Sequence, residues 1–265
     1  MTFSYVVIPA LIVLLGLLLA WFSVRRLLAL RTKSYSPVRK ITEGILLSLA
    51  ALLLIVVAGS SGVNAVILAY HHARLPGRVY RVDGHNKRIN CMGSGSPTIV
   101  LDSGLGNDGL IWGGVQPELA KTTQVCSYDR AGYALSDMVP GPRDADHIAA
   151  ELHGLLQAAG IEGPIVLMGH SIAGIYIRDY ATRYPAQVAG LIFVDGSTPL
   201  QGRNPVFARA LAGQTPSRRE LFLDQAESTL GLPRWMGQCS QKLPGFDART
   251  SRLETEEQCR EDFSA

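Results

Sequence analysis

Residues Tyr5 to Val24 form an uncharged, apolar run of 20, and Ile45 to about Val66 form a second. Nothing else constrains the chain so tightly. In a bilayer no water satisfies the backbone, so a segment of that length crosses as a helix, its N–H and C=O groups paired internally. A helix buried in a soluble core rarely stays so apolar for so long, and two spans are the expectation. Between them residues 25–40 carry Arg25, Arg26, Arg31, Lys33, Arg39 and Lys40 and no acidic residue, and Glu43 follows just before the second run. The positive-inside rule puts that loop, residues 25–40, in the cytoplasm and everything after Tyr70 on the other side, periplasmic or extracellular. A competing reading takes the second run as part of a cleaved leader, since Val63-Asn64-Ala65 has the small residues of a cleavage site. A leader that carries its own apolar span is unusual.

The loop also accounts for the charge. The chain carries a formal +3, yet from His71 on 19 basic residues face 21 acidic ones, a balance near −2. No basic face for nucleic acid is implied. Two spans, neither holding an ionisable residue, argue against a transporter or sensor. No Cys-x-x-Cys or clustered histidines show metal-ligand spacing, so no metal and no cofactor are expected.

Beyond a linker at 71–77, strand and helix patterns alternate. Arg78 to Val82 and Lys87 to Cys91 read as a hairpin across Asp83-Gly84-His85-Asn86. Thr98 to Leu101, Thr123 to Tyr128, Ile165 to Met168 and Ala189 to Asp195 read as buried strands. Gly113 to Lys121, Asp146 to Ala159 and Ile172 to Arg183 read as helices, the second with Ile148, Leu152, Leu155 and Leu156 on one face. Such alternation argues a mostly parallel sheet with helices on both faces.

The most informative turn is at Ser171. Four apolar residues enter it through Gly169 and His170, and a helix leaves it. A sharp strand-to-helix turn needs small residues two before and two after the serine, and Gly169 and Ala173 stand there. Such a turn lifts the hydroxyl above the sheet, with free N–H groups of the helix beneath it, the layout of a nucleophile elbow. A turn with a capping serine would look alike, and Ala173 replaces the usual second glycine.

Four pieces in order resemble the α/β-hydrolase fold: Thr98 to Gly106, Tyr128-Asp129-Arg130-Ala131-Gly132-Tyr133, Gly169-His170-Ser171 and Leu191 to Gly196. The resemblance covers roughly Arg78 to Pro199, a core at 78–199. It implies a serine hydrolase of the esterase, lipase or peptidase kind acting on a small-molecule ester or amide. Ser171 would be the nucleophile. The backbone N–H groups of Ile172 and of Leu105, which follows Gly104, would bind the oxyanion. Asp129 and Arg130 would be a structural pair bracing the nearby loop, His170 a packing residue and Asp195 a possible acid. The resemblance also sets the strand of Cys91 beside that of Cys126, a possible disulfide. Cys239 and Cys259 are left as a second possible pair.

The same resemblance exposes a gap. Its order is serine, acid, histidine, yet the six histidines are His71, His72, His85, His147, His153 and His170, none of them after Ser171. His147 and His153 read as a solvated-face and a helix-end residue. From Leu200 on, Asn204 to Ala212 and Ser217 to Leu230 are helical by pattern. Residues 200–265 resemble a helical cap, without the two strands and closing helix expected after one. Three readings compete: a membrane-anchored serine hydrolase whose sequence as given stops early, a catalytically degenerate binding or scaffold protein, and a transport or sensor protein. The first implies marginal hydrolysis of activated esters by this chain, little changed by Ser171→Ala. It also implies an open apolar edge at the strand ending near Asp195.

Overall fold

The computed structural model describes residues 2–32, 35–212 and 217–237. Two long helices open it, α1 (Thr2–Thr32) and α2 (Pro37–His72). Within them Ala10–Leu30 and Pro37–Ile67 are long and apolar enough to cross a membrane, with mean hydropathy 2.0 and 2.5. Both helices outrun the apolar stretches, because arginine and lysine are good helix formers. Residues 25–40 are therefore not one loop: Arg25, Arg26 and Arg31 end α1, and Arg39 and Lys40 begin α2. Arg26 Nε donates to Glu43 Oε1 at 2.9 Å, tying the two helices at this end. They pack closely at Gly16, where a Cβ would lie 3.0 Å from Ala58 Cβ.

Six strands follow: β1 (Arg78–Val82), β2 (His85–Met92), β3 (Thr98–Asp102), β4 (Val125–Tyr128), β5 (Ile165–His170) and β6 (Val188–Val194). They lie in the order β1-β2-β4-β3-β5-β6. The pairs β1–β2 and β2–β4 are antiparallel and the rest parallel. The flanking helices are α3 (Gln116–Leu119), α4 (Ala145–Ala158) and α5 (Ala173–Arg183), then α6 (Pro205–Ala212), α7 (Arg218–Leu230) and α8 (Leu232–Trp235).

The central strands are apolar at successive positions because both faces are covered. Val100, Cys126 and Leu167 pack with Leu152, Leu155 and Leu156 of α4 and Ile177 and Tyr180 of α5. Their neighbours Leu101, Val125 and Met168 pack with Trp112 on the other face. Each fully buried leucine stabilises by roughly 1.5–3 kcal/mol relative to exposure. The helix expected over Gly113 to Lys121 is instead a 3-10 helix, Gly109–Gly114, followed by the one-turn α3. Two glycines precede that turn and Pro117 opens it. Cys91 and Cys126 are cross-strand partners of β2 and β4, joined by a disulfide with a Cα separation of 4.0 Å. Cys239 and Cys259 lie outside the described residues. Among the described strands β1 and β6 form the two edges of the sheet, and Ile192, Phe193 and Val194 of β6 are exposed.

Candidate active site

The turn between β5 and α5 holds Ser171 at φ +52°. A left-handed non-glycine residue costs on the order of 1–3 kcal/mol and persists only where its surroundings over-determine it. Here they do. Ser171 N donates to the Val194 carbonyl at 3.1 Å, and its own carbonyl accepts from Gly174 N at 2.9 Å and Ser197 N at 2.7 Å. The small flanking residues have equally specific reasons. A Cβ on Gly169 would stand 3.0 Å from the carbonyl carbon and oxygen of Ala173 and from Ile177 Cδ1. Ala173 itself is fully buried, and Gly174 lies against the backbone of Gly196 and Ser197. No side chain caps the start of α5, whose first turn closes on the backbone, Gly174 N donating to the Ser171 carbonyl and Ile175 N to the Ile172 carbonyl.

The loop after β3 comes up beside this turn. A Cβ on Gly104 would be 2.9 Å from His170 Nδ1, so the imidazole packs directly on that glycine. Arg130 sets the loop's shape from within. Its Nη1 donates to Asp102 Oδ1 at 2.7 Å and to the Ser103 carbonyl, and its Nη2 to the Gly104 carbonyl. Three successive residues are thus gripped by one buried guanidinium. With the carbonyls of Ser103 and Gly104 turned inward, Leu105 lies on the outer side, its side chain 75% exposed. Burial alone would lower the Arg130 pKa, but the charges of Asp102, Tyr128 and Tyr133 outweigh it and hold the guanidinium above its usual value. Burial pushes the Asp102 carboxyl up, and Arg130 opposes that shift. At 2.7 Å from a cation held charged, we take Asp102 as ionised.

Asp129 and Arg130 are not a pair with each other, contrary to the expectation from sequence. Asp129 accepts from Arg88 Nη1 through both oxygens at 2.7 Å and from Gly109 N at 3.0 Å. Neighbours in sequence at a strand end point to opposite sides, so each finds its own partner. Arg88 and Asp102 were the residues missed. Their one signal was a charge at a position that the strand pattern would bury.

A cavity of about 740 Å³ opens next to the glycine loop, lined by Leu105, Tyr133, Met138, Ile148 and Tyr176 with Arg130 and Arg143. Tyr176 belongs to α5, five residues past Ser171, though Ser171 itself is not part of the lining. Burial raises the Tyr176 phenol pKa, which keeps it neutral.

Apart from His170, the histidines whose side chains are described sit elsewhere. His147 Nδ1 is 2.6 Å from the helix-capping Asp144 and exposed. His153 is not a helix-end residue: it stacks on Tyr184 at 3.9 Å between ring centres, in the α4–α5 contact. His85 opens β2. Among the described residues no side chain hydrogen-bonds to the Ser171 hydroxyl, and no three acidic, histidine or cysteine side chains gather to hold a metal. Asp195, at φ +47° just past β6, is exposed.

Comparison with known proteins agrees with this architecture. The model of the Alpha/beta hydrolase family matches residues 99–261. YbdG of Bacillus subtilis, itself uncharacterized, is 31% identical over 173 residues, covering 61% of this chain and 51% of that protein. The first curated relatives are matched over 16–51% of their own lengths. An epoxide hydrolase from Bacillus megaterium superposes with a TM-score of 0.53 at 16% identity, over 69% of this chain and 71% of its own. A bacterial membrane phospholipase A superposes with a TM-score of 0.52 at 19% identity, over 85% of this chain and 72% of its own. With the sheet order, the turn at its centre and a family match over more than half of its length, this chain belongs to the alpha/beta hydrolase family.

Proposed function

We propose that the protein is a membrane-anchored serine hydrolase, with α1 and α2 as its anchor, the fold from β1 onward outside the cytoplasm, and Ser171 as nucleophile. The observation that carries the reading is the left-handed Ser171, held between β5 and α5 by three backbone hydrogen bonds. In the proposed step Ser171 Oγ attacks the carbonyl carbon of an ester or amide. The N–H groups of Ile172 and Leu105 take the negative oxygen, and the leaving group departs as an acyl-serine forms. Water then hydrolyses the acyl-serine. The Cys91–Cys126 disulfide supports the extracytoplasmic side, since such bonds persist in oxidising compartments.

The proton of Ser171 needs an acceptor, and none of the described side chains holds it. A second reading, a hydrolase-fold binding or scaffold protein, draws on that same observation. The test is chemical rescue. The 265-residue chain in detergent should turn over an activated p-nitrophenyl ester marginally, and added imidazole should raise a component that Ser171→Ala lacks. No Ser171-dependent component at any imidazole concentration would favour the binding protein. Brisk turnover without imidazole, abolished by Ser171→Ala, would mean that a base within the chain serves, with His170 or His147 first in line.

A further inference from the structure

Helices α7 and α8 rest on the second apolar helix. α7 packs against α2, and side-chain bonds lock the junction with α8 to one face of it. Ser60 donates to the Leu230 carbonyl. Trp235 Nε1 donates to Ser60 Oγ at 2.9 Å, and Arg234 Nε to Asn64 Oδ1 at 3.2 Å. Gly231, left-handed at φ +70°, lies so close to Asn64 that a Cβ would meet its side chain at 3.1 Å.

These anchors fix a depth. Ser60 and Asn64 are one helical turn apart, within the apolar run that ends near Val66. At 1.5 Å per residue they lie about 9 Å and 3 Å below that end. α8 is held at that level; its Leu232 and Trp235 are 40% and 68% exposed, and Met236, just after it, 61%. Just above, Arg74 lies over the Tyr70 ring at 4.1 Å, an aromatic and basic pair suited to the headgroup layer. A depth of roughly 5–10 Å is where interfacial helices bury their apolar side chains. Ser60 and Asn64 take up the Trp235 indole N–H and Arg234 Nε, and the exposed Leu232 and Met236 beside them present carbon and sulfur.

We propose that α8 and the end of α7 lie in the lipid surface of the membrane, on the side away from the Arg26–Glu43 contact, with Leu232, Trp235 and Met236 against acyl chains. The proposal rests on the reading of α1 and α2 as membrane spans. It makes the cap-like segment an interfacial element and sets the hydrolase-fold portion at a fixed height over the bilayer.

The chain has three tryptophans, which allow a test in which the two readings fail separately. The full chain, Trp235→Phe and Trp21→Phe would each be reconstituted in phosphatidylcholine vesicles with or without lipids brominated on their acyl chains. The emission lost in each variant reports one tryptophan, and Trp112, buried beneath the sheet, gives a constant background. The Trp235 component should lose at least half its intensity to brominated lipid, most strongly with bromines near the headgroup, and should resist aqueous acrylamide. If the Trp21 component is quenched by brominated lipid while that of Trp235 is open to acrylamide, the interfacial proposal falls and the anchor stands. Shielding of Trp235 from both quenchers would point to a protein partner, such as a second copy, and would also overturn it. If neither tryptophan is quenched by lipid, the anchor itself is wrong.

Discussion

Replacing Arg130 by methionine should unfold the region around the glycine loop more readily than any surface change. The Arg130–Asp102 pair is 5% and 1% exposed, so the substitution strands a carboxylate with almost no access to water. Breaking a buried pair by removing one partner costs about 3–5 kcal/mol. The Ser103 carbonyl loses its donor as well, a loss worth about 1–3 kcal/mol if water cannot replace it, and the Gly104 carbonyl keeps only a long bond from Asn107 N at 3.4 Å. These terms share one site and do not add, so about 4 kcal/mol is the expectation. Much of it comes from the stranded charge. Arg130→Met combined with Asp102→Leu should therefore be more stable than Arg130→Met alone, by about 2 kcal/mol or more. The assay is urea unfolding in detergent of the full chain carrying Trp21→Phe and Trp235→Phe, so that Trp112 alone emits, run as a double-mutant cycle. A single-variant cost below about 1 kcal/mol, or a double variant no better than Arg130→Met, would refute the idea that a buried charge pair shapes the loop.

Other outcomes follow from the same coordinates. Gly169→Val should cost about 1–3 kcal/mol in the same unfolding assay, because its new carbons meet the fixed backbone of Ala173 as well as the Ile177 side chain. Ser171→Gly should be more stable than Ser171→Ala by about 1 kcal/mol, since only glycine relieves the left-handed strain. Burial alone would raise the Glu151 carboxyl pKa, but hydrogen bonds from Arg143 and Lys87 hold it below its usual 4.5. A lowered carboxylate contributes stability that is present above pH 4.5 and lost as pH falls through the folded value. Stability measured across that range should therefore fall less steeply with acid in Glu151→Gln.

Much of the fold was legible because local rules and burial agree. Strand residues such as Val100-Leu101 and Leu167-Met168 are apolar at consecutive positions because helices cover both faces. The turn at Ser171 was readable because Gly169 has no room for a Cβ and Ala173, fully buried, stands against it. What stayed hidden depends on partners far apart in sequence. That Asp129 pairs with Arg88, and Arg130 with Asp102, follows from which side of a strand end each side chain leaves. No spacing rule reports that direction. The stacking of His153 on Tyr184 needs α4 and α5 placed side by side, and the docking of Trp235 on Ser60 joins residues 175 positions apart. The basic stretch at 25–40 reads as a loop by its charge, yet its arginines and lysines also favour helix, and α1 and α2 extend into it from either side.

The central claim is that Ser171 is the nucleophile, and trapping its acyl form tests this most directly. If water attack on an acyl-serine also needs a base, the intermediate should accumulate when the chain is incubated with an activated ester. Intact mass followed by peptide mapping should show one acyl group per chain on the peptide containing Ser171, absent from Ser171→Ala. An adduct on another residue, or none in a preparation whose Trp112 emission shows an intact fold, would contradict the account.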